Sequence, residues 1–175
     1  TAIVAISRTR PNEMLTATNY RAGIGESLLG LKPGEQMSAQ DLIKGLLLES
    51  GNDAADTLAA GTASSRAAFV AAMNARARQY GLTRTRFSNP IGLDGPNNYS
   101  TAGDLAKLGR IGLEIPRLAN VTDKRRATLR SGSTVRRITN RNPLVGKYPW
   151  ATGVKTGHTI AAGYLLVGAA EKLDA

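Results

Sequence analysis

Gly45-Leu46-Leu47-Leu48-Glu49-Ser50-Gly51-Asn52-Asp53-Ala54-Ala55 is the stretch on which the fold turns. Just upstream, Ser38-Ala39-Gln40-Asp41 has the S-x-x-D form of a helix start. Leu42, Ile43, Leu46 and Leu47 then share one stripe, so the spacing predicts a helix to about Glu49. Downstream, Asn52-Asp53 can cap a second helix through Ala54, Ala55, Leu58 and Ala59, with Gly61 as its stop. Ser50-Gly51-Asn52 is therefore a tight connection between two helices.

Further out, Ser64 or Ser65 opens a third helix, with Phe69, Val70, Met73, Ala77 and Tyr80 at helical spacing and Gly81 as the stop. Phe69, Met73 and Tyr80 are assigned to the core. Thr101-Ala102-Gly103-Asp104 leads Leu105, Leu108 and Ile111 into a fourth helix that Pro116 ends or follows. Between Thr85 and Tyr99, the Asn, Gly and Pro content predicts a long surface loop. Arg126 to Arg130 and Thr134 to Ile138, joined around Ser131-Gly132-Ser133, read as a basic two-stranded hairpin. Gly153 to Gly157 and Ala162 to Gly168 read as two further strands, the second apolar enough to be central in a sheet.

Length and composition narrow the classes. A chain of 175 residues, 42% hydrophobic, can bury one sizeable core, and a single domain over 1–175 is the default. With no cysteine, disulfide frameworks, thiolate metal sites and cysteine nucleophiles are excluded. One histidine and scattered acids offer no ligand spacing, so no metal and no cofactor are expected. No apolar run approaches the roughly 18 to 20 residues of a membrane span. Thr1 runs straight into Ala2-Ile3-Val4-Ala5-Ile6, which reads as the inside of an apolar helix with sequence expected before it. The net charge of +10 is regional: residues 1–80 carry 8 basic and 7 acidic side chains, residues 81–175 carry 15 and 6. From Arg117 to Lys147, Asp123 is the only acid among nine bases, so attraction of a polyanion or an anionic surface through Lys124 to Arg137 is one expectation and a plain solvated face is the other.

Singly, Ser50-Gly51-Asn52 is what any helix-to-helix turn prefers, and Lys155-Thr156-Gly157 is an ordinary edge-strand tripeptide. Their joint order and spacing, one at a helix junction and the other on a strand, is that of penicillin-recognising serine acyltransferases. The flanks extend the match: Asn52-Asp53-Ala54-Ala55, Phe69 to Asn74, Tyr80-Gly81-Leu82, Thr85-Arg86-Phe87, Gly92-Leu93, Tyr99 to Ala102, Gly153 to Thr159 and Ala162-Gly163-Tyr164. With these the chain resembles the D-alanyl-D-alanine carboxypeptidases, the low-molecular-weight penicillin-binding proteins, over nearly its whole length.

The resemblance implies an α+β fold of the β-lactamase/D,D-peptidase type, a helical lobe packed on a small antiparallel sheet. Two early strands would fall before Thr1, and a further strand and helix after Glu171-Lys172. It also implies an extracytoplasmic serine carboxypeptidase acting on peptidoglycan stem peptides that end in D-Ala-D-Ala, and binding β-lactams, through an acyl-enzyme. In the family the nucleophile and base come from S-x-x-K-x-M-T-A; Thr1-Ala2 match its last two letters, placing the serine roughly six residues before Thr1.

By the same resemblance Ser50 is a proton relay, Asn52 holds the substrate's peptide group, and Lys155 supplies a positive field for the terminal carboxylate. Thr156 and Thr159 bind that carboxylate, Gly157 leaves room for the substrate strand, and the His158 N–H is an oxyanion donor. Ser50 itself is a poor nucleophile, because no lysine or histidine faces it at helical spacing. Two other classes stay open: an inactive stem-peptide or β-lactam binding module, and a polyanion-binding basic domain. Nucleic acid is not expected as a partner, and the oligomeric state is left open.

Overall fold

A computed structural model describes residues 1–171. In chain order the elements are α1 (Ala2–Ile6), β1 (Met14–Thr16), β2 (Gln36–Ser38), α2 (Ala39–Lys44), a π-helical turn (Gly45–Glu49), α3 (Asn52–Thr62), α4 (Arg66–Gln79), α5 (Ala102–Leu113), α6 (Pro116–Thr122), β3 (Arg126–Ser131), β4 (Thr134–Thr139), β5 (Ala151–Thr159) and β6 (Gly163–Ala170).

Three helices open on the hydroxyls that the sequence nominates. Ser38 Oγ accepts from the Asp41 N–H at 3.1 Å, Ser65 Oγ from Ala68 at 3.0 Å and Thr101 Oγ1 from Asp104 at 3.2 Å. Each bond satisfies an amide that the helix start leaves free. The strands form antiparallel pairs β1–β2, β3–β4 and β5–β6, the last with Lys155 opposite Val167 and His158 opposite Tyr164. The main core joins Leu15 and Met37 of the first pair, Leu42, Ile43, Leu48 and Leu58 of the helices, Val121 of α6, and Leu129 and Ile138 of the β3–β4 hairpin. A smaller cluster packs Val4 and Ala59 on Phe69 and Met73. Burying such side chains stabilises by about 1.5–3 kcal/mol each, which is what holds the helical lobe against the hairpin. The mixed helix and small-sheet architecture is the α+β class expected.

Several local expectations differ from the structure. Gly51, not Asn52-Asp53, is the N-cap of α3, and α3 runs past Gly61 to Thr62. Gly61 lies inside the helix with Leu15 packed on it; a Cβ there would lie 3.0 Å from Leu15 Cδ2. Pro116 does follow α5, as expected, and also begins α6, since a proline at the first helical position gives up an N–H that has no partner there anyway. Tyr80 is only half-buried, under the Arg76 guanidinium 5.8 Å from its ring centroid. β6 is not a central strand among the described residues: it pairs with β5 on one edge, and Tyr164, Leu165 and Leu166 are 89%, 45% and 48% exposed. Its apolar composition reports what could cover it, not what does. The strand and helix expected after Glu171-Lys172 lie outside the described residues.

Candidate active site

The helix that begins at Ser38 does not end as an ordinary α-helix. Over Gly45–Glu49 it widens into a π turn, closed by the Ser50 N–H donating to the Gly45 carbonyl, which the Gly51 N–H also reaches at 3.2 Å. Single π turns inside helices are frequent at functional positions. Its first residue must be small, because the Leu29 side chain fills the space where a Cβ on Gly45 would lie. The chain leaves the π turn through Ser50 in the left-handed conformation, φ 63° and ψ 33°. For an L-residue that backbone costs about 1–2 kcal/mol, so the surroundings must hold it there.

They do so from three sides. Below, Asp53 is buried and its carboxylate accepts from Leu29 N, Leu31 N and Ala54 N, each at 2.9 Å, tying the 29–31 segment to the start of α3. Beside it, the Asn52 side chain donates to Glu26 Oε2 at 2.9 Å and the Asn52 N–H to the Ser27 carbonyl at 2.8 Å. Glu26 also accepts from the Tyr20 hydroxyl and the Gly23 N–H. Partial desolvation works against its charge, yet these hydrogen bonds prevail and hold its carboxyl below the usual range. Above, the Arg141 N–H donates to the Leu48 carbonyl at 3.0 Å, and its guanidinium grips Glu49 Oε1 at 2.7 and 3.1 Å.

The second wall arrives from β5. Asn140 Nδ2 donates to the Thr122 and Lys124 carbonyls, and Asn142 Nδ2 to the Gly153 carbonyl at 2.9 Å, so two buried amides lock the exit of β4 to α6 and to β5. Lys155 follows directly. Its Nζ donates to Ser50 Oγ at 2.9 Å and to the Thr156 carbonyl at 2.7 Å. The two tripeptides, 105 residues apart, thus meet by a direct hydrogen bond. Burial, and then the nearby Arg141 cation, push the Lys155 ammonium down to about 8, while Glu49 pulls the other way. A cation with one N–H on a serine hydroxyl and a lowered affinity for its proton suits both carboxylate attraction and proton relay.

The remaining expected residues line the strand. Thr156 is half-buried, Gly157 and His158 are exposed, and the His158 ring lies 4.2 Å from that of Tyr164 across the pair. Thr159 Oγ1 accepts from Ala162 N at 3.0 Å and so braces the β5–β6 turn. Around Gly157 an added Cβ would meet only Leu165 Cβ, at 4.0 Å. Neither its backbone nor its packing demands a glycine, so the open space is available to something outside the chain. Trp150 stacks on Tyr148 at 5.0 Å where the chain enters β5. Sequence reasoning missed Glu26, Glu49, Asp53 and Arg141. Glu49 and Asp53 flank the tripeptide and Arg141 falls in the basic run, but the bonds Leu31–Asp53, Asn52–Glu26 and Arg141–Glu49 that give them their place cross 22, 26 and 92 residues.

Among the described residues no group of three His, Cys, Asp or Glu side chains is placed to hold a metal ion, and no helix is long and apolar enough to cross a membrane. What the site does hold, a left-handed serine hydrogen-bonded to a strand lysine, is accompanied by a match of residues 2–175 to the D-alanyl-D-alanine carboxypeptidase family. The chain belongs to this family. It is 39% identical over 173 residues to the D-alanyl-D-alanine carboxypeptidase DacB2 of Mycobacterium tuberculosis, covering 98% of this chain and 59% of that protein. It is also 39% identical over 164 residues to DacC of Escherichia coli, there covering 90% of this chain and 39% of the relative. A D-alanyl-D-alanine carboxypeptidase crystal structure from M. tuberculosis superposes with a TM-score of 0.90 at 39% identity, over 98% of this chain and 65% of that one. The Streptomyces K15 DD-transpeptidase gives 0.87 at 30% identity, over 98% and 72%. The chain thus spans 59% and 39% of the length of these two curated carboxypeptidases, less than two thirds of either.

Proposed function

We propose that residues 1–175 form part of one catalytic domain of a serine D-Ala-D-Ala carboxypeptidase, which cuts peptidoglycan stem peptides through an acyl-enzyme outside the cytoplasmic membrane and takes β-lactams in the same cleft. The observation that carries this reading is the Lys155 Nζ to Ser50 Oγ hydrogen bond. Because Ser50 accepts from Lys155, its own O–H is free to donate, so a proton can pass through it toward a departing amine. The Lys155 charge, with the Thr156 and Thr159 hydroxyls, receives the terminal carboxylate. The exposed edge at Gly157 lets the substrate backbone approach, and the His158 N–H is one oxyanion donor. Asn52 keeps its carbonyl oxygen and a second amide N–H, after the bond to Glu26, for the substrate's peptide group. Attack is assigned to none of the 175 residues, in which no S-x-x-K occurs.

The hairpin adds a contact with an anionic envelope surface, since Arg126, Arg130 and Arg137 are exposed while Arg136 is tied to Glu35 at 2.6 Å. Titration of the chain with an N-acyl-D-Ala-D-Ala dipeptide, its C-terminal amide and the L,L isomer tests the cleft. Affinity for the acid is expected to exceed that for the amide by about tenfold, one charge-assisted hydrogen bond; equal affinities for all three would sink the assignment. Intact mass after incubation with a fluorescent penicillin is expected to show no stable adduct, and an adduct would place a nucleophile within these residues.

A further inference from the structure

Away from Ser50 and Lys155, the C-terminal end of α4 and the loop after it enclose a hollow of about 400 Å³ whose lining includes Arg78, Gly81, Leu82, Thr83, Arg86 and Tyr99. Leu82 is buried, whereas Arg78, Thr83, Arg86 and Tyr99 are exposed. The walls are fixed by hydrogen bonds. Arg86 and Tyr99 exchange both backbone bonds at 2.9 Å, and the Asn74 side chain accepts from Phe87 N and donates to Phe87 O, each at 2.8 Å. A third cation approaches one residue of this lining: Gly81 is left-handed, φ 62°, and a Cβ there would lie 3.1 Å from Lys107 Nζ. Among the described residues no carboxylate lies within ion-pair distance of Arg78, Arg86 or Lys107. The acid at hand, Asp104, spends Oδ2 on Arg84 N at 3.0 Å and on the Thr85 hydroxyl at 2.6 Å. Three cations against one acid leave an uncompensated positive charge in a preformed concavity.

From this we infer a binding site for a phosphate ester carried on a sugar or polyol, built by Arg78, Arg86 and Lys107. One bidentate guanidinium satisfies a carboxylate, so two guanidiniums and an ammonium are more donors than a carboxylate takes. A phosphate monoester brings about −1.5 to −2 charges and three acceptor oxygens, which matches them. A hollow within the size range of small-molecule sites, about 300–1,000 Å³, also holds more than a bare anion. Tyr99 offers a ring for the polyol and a hydroxyl for its oxygens. The inference does not rest on the carboxypeptidase reading.

Titrating the isotope-labelled chain with glycerol 3-phosphate, inorganic phosphate and acetate at low ionic strength tests it by amide shifts. Saturable shifts at residues 78–86 and at Tyr99 are expected, with millimolar affinity and the order ester, then phosphate, then acetate. The pair Arg78→Gln with Arg86→Gln is expected to weaken ester binding about tenfold, while Arg126→Gln with Arg137→Gln in the hairpin leaves it unchanged. Arg86→Gln alone, on an exposed side chain, supplies a variant that keeps the fold and still weakens binding. The inference fails if shifts do not saturate, if acetate binds as tightly as the ester, or if the hairpin pair weakens binding as much as the pocket pair. Equal affinity for inorganic phosphate would remove the polyol part of it.

Discussion

The two walls of the cleft are built in opposite ways. The Ser50 wall is held by a buried carboxylate with three amide donors, by the Glu26 network under Asn52, and by Arg141 across Glu49. The Lys155 wall belongs to a two-stranded pair whose outer strand shows apolar side chains to solvent, and it is anchored mainly at its root by Asn142 and by Thr122, which donates to the Thr152 carbonyl at 3.1 Å. A strained serine must be over-determined to persist, whereas a strand lysine needs one good anchor and a partner. Precision at the hydroxyl therefore comes from the helical side, and the charge comes from a wall with fewer restraints.

Asp53→Ala should break this contrast most. It strips acceptors from three amides, and at about 1–3 kcal/mol for each buried group left unpaired the loss in urea unfolding is expected to exceed 3 kcal/mol, with faster amide exchange over residues 20–31. Asn142→Ala comes next, at about 2 kcal/mol, with increased exchange confined to β5 and β6; equal loosening around Ser50 would show that the walls are not separately held. Gly157→Ala and Gly109→Ala sharpen the distinction between ligand space and packing space. A Cβ at Gly109 would sit 2.7 Å from Val167 Cγ1, so that change destabilises by about 1–3 kcal/mol. The Gly157 change is expected to leave stability within about 0.5 kcal/mol while weakening binding of an acyl-D-Ala-D-Ala ligand.

The smallest effect is one of pH. Because Lys155 is lowered to about 8, affinity for a terminal carboxylate is expected to hold below that pH and fall above it. Glu49→Gln removes the charge that favours the ammonium, so the fall moves to lower pH; an unmoved midpoint would exclude Lys155 as the group read. The sign for stability is opposite: between about 8 and 10.5 the unfolded chain holds the proton more tightly, and the fold gains stability as pH rises.

Much of this was legible in the residues because it is local. Ser38, Ser65 and Thr101 announce their helices within four positions, and Ser131-Gly132-Ser133 announces its hairpin. β1 and β2, three residues each, are too short to carry a period, and Pro116 has two lawful readings between which only the following residues choose. The tripeptides were found from their order and flanks, but the supports were not. Glu26 under Asn52, and Arg141 over Glu49, are pairings across 26 and 92 residues that no window of local sequence contains. Burial of β6 was misjudged for the same reason, since cover is a property of neighbours.

The π turn at Gly45–Glu49 amounts to one residue more than a regular helix would use to span the same rise. Deleting a single leucine from Leu46-Leu47-Leu48 would let that turn close as regular α-helix, removing the widened exit from which Ser50 reaches Lys155. For this chain, length between landmarks is as much a part of the chemistry as the landmarks are, and a shortening that spares every polar side chain would silence the cleft.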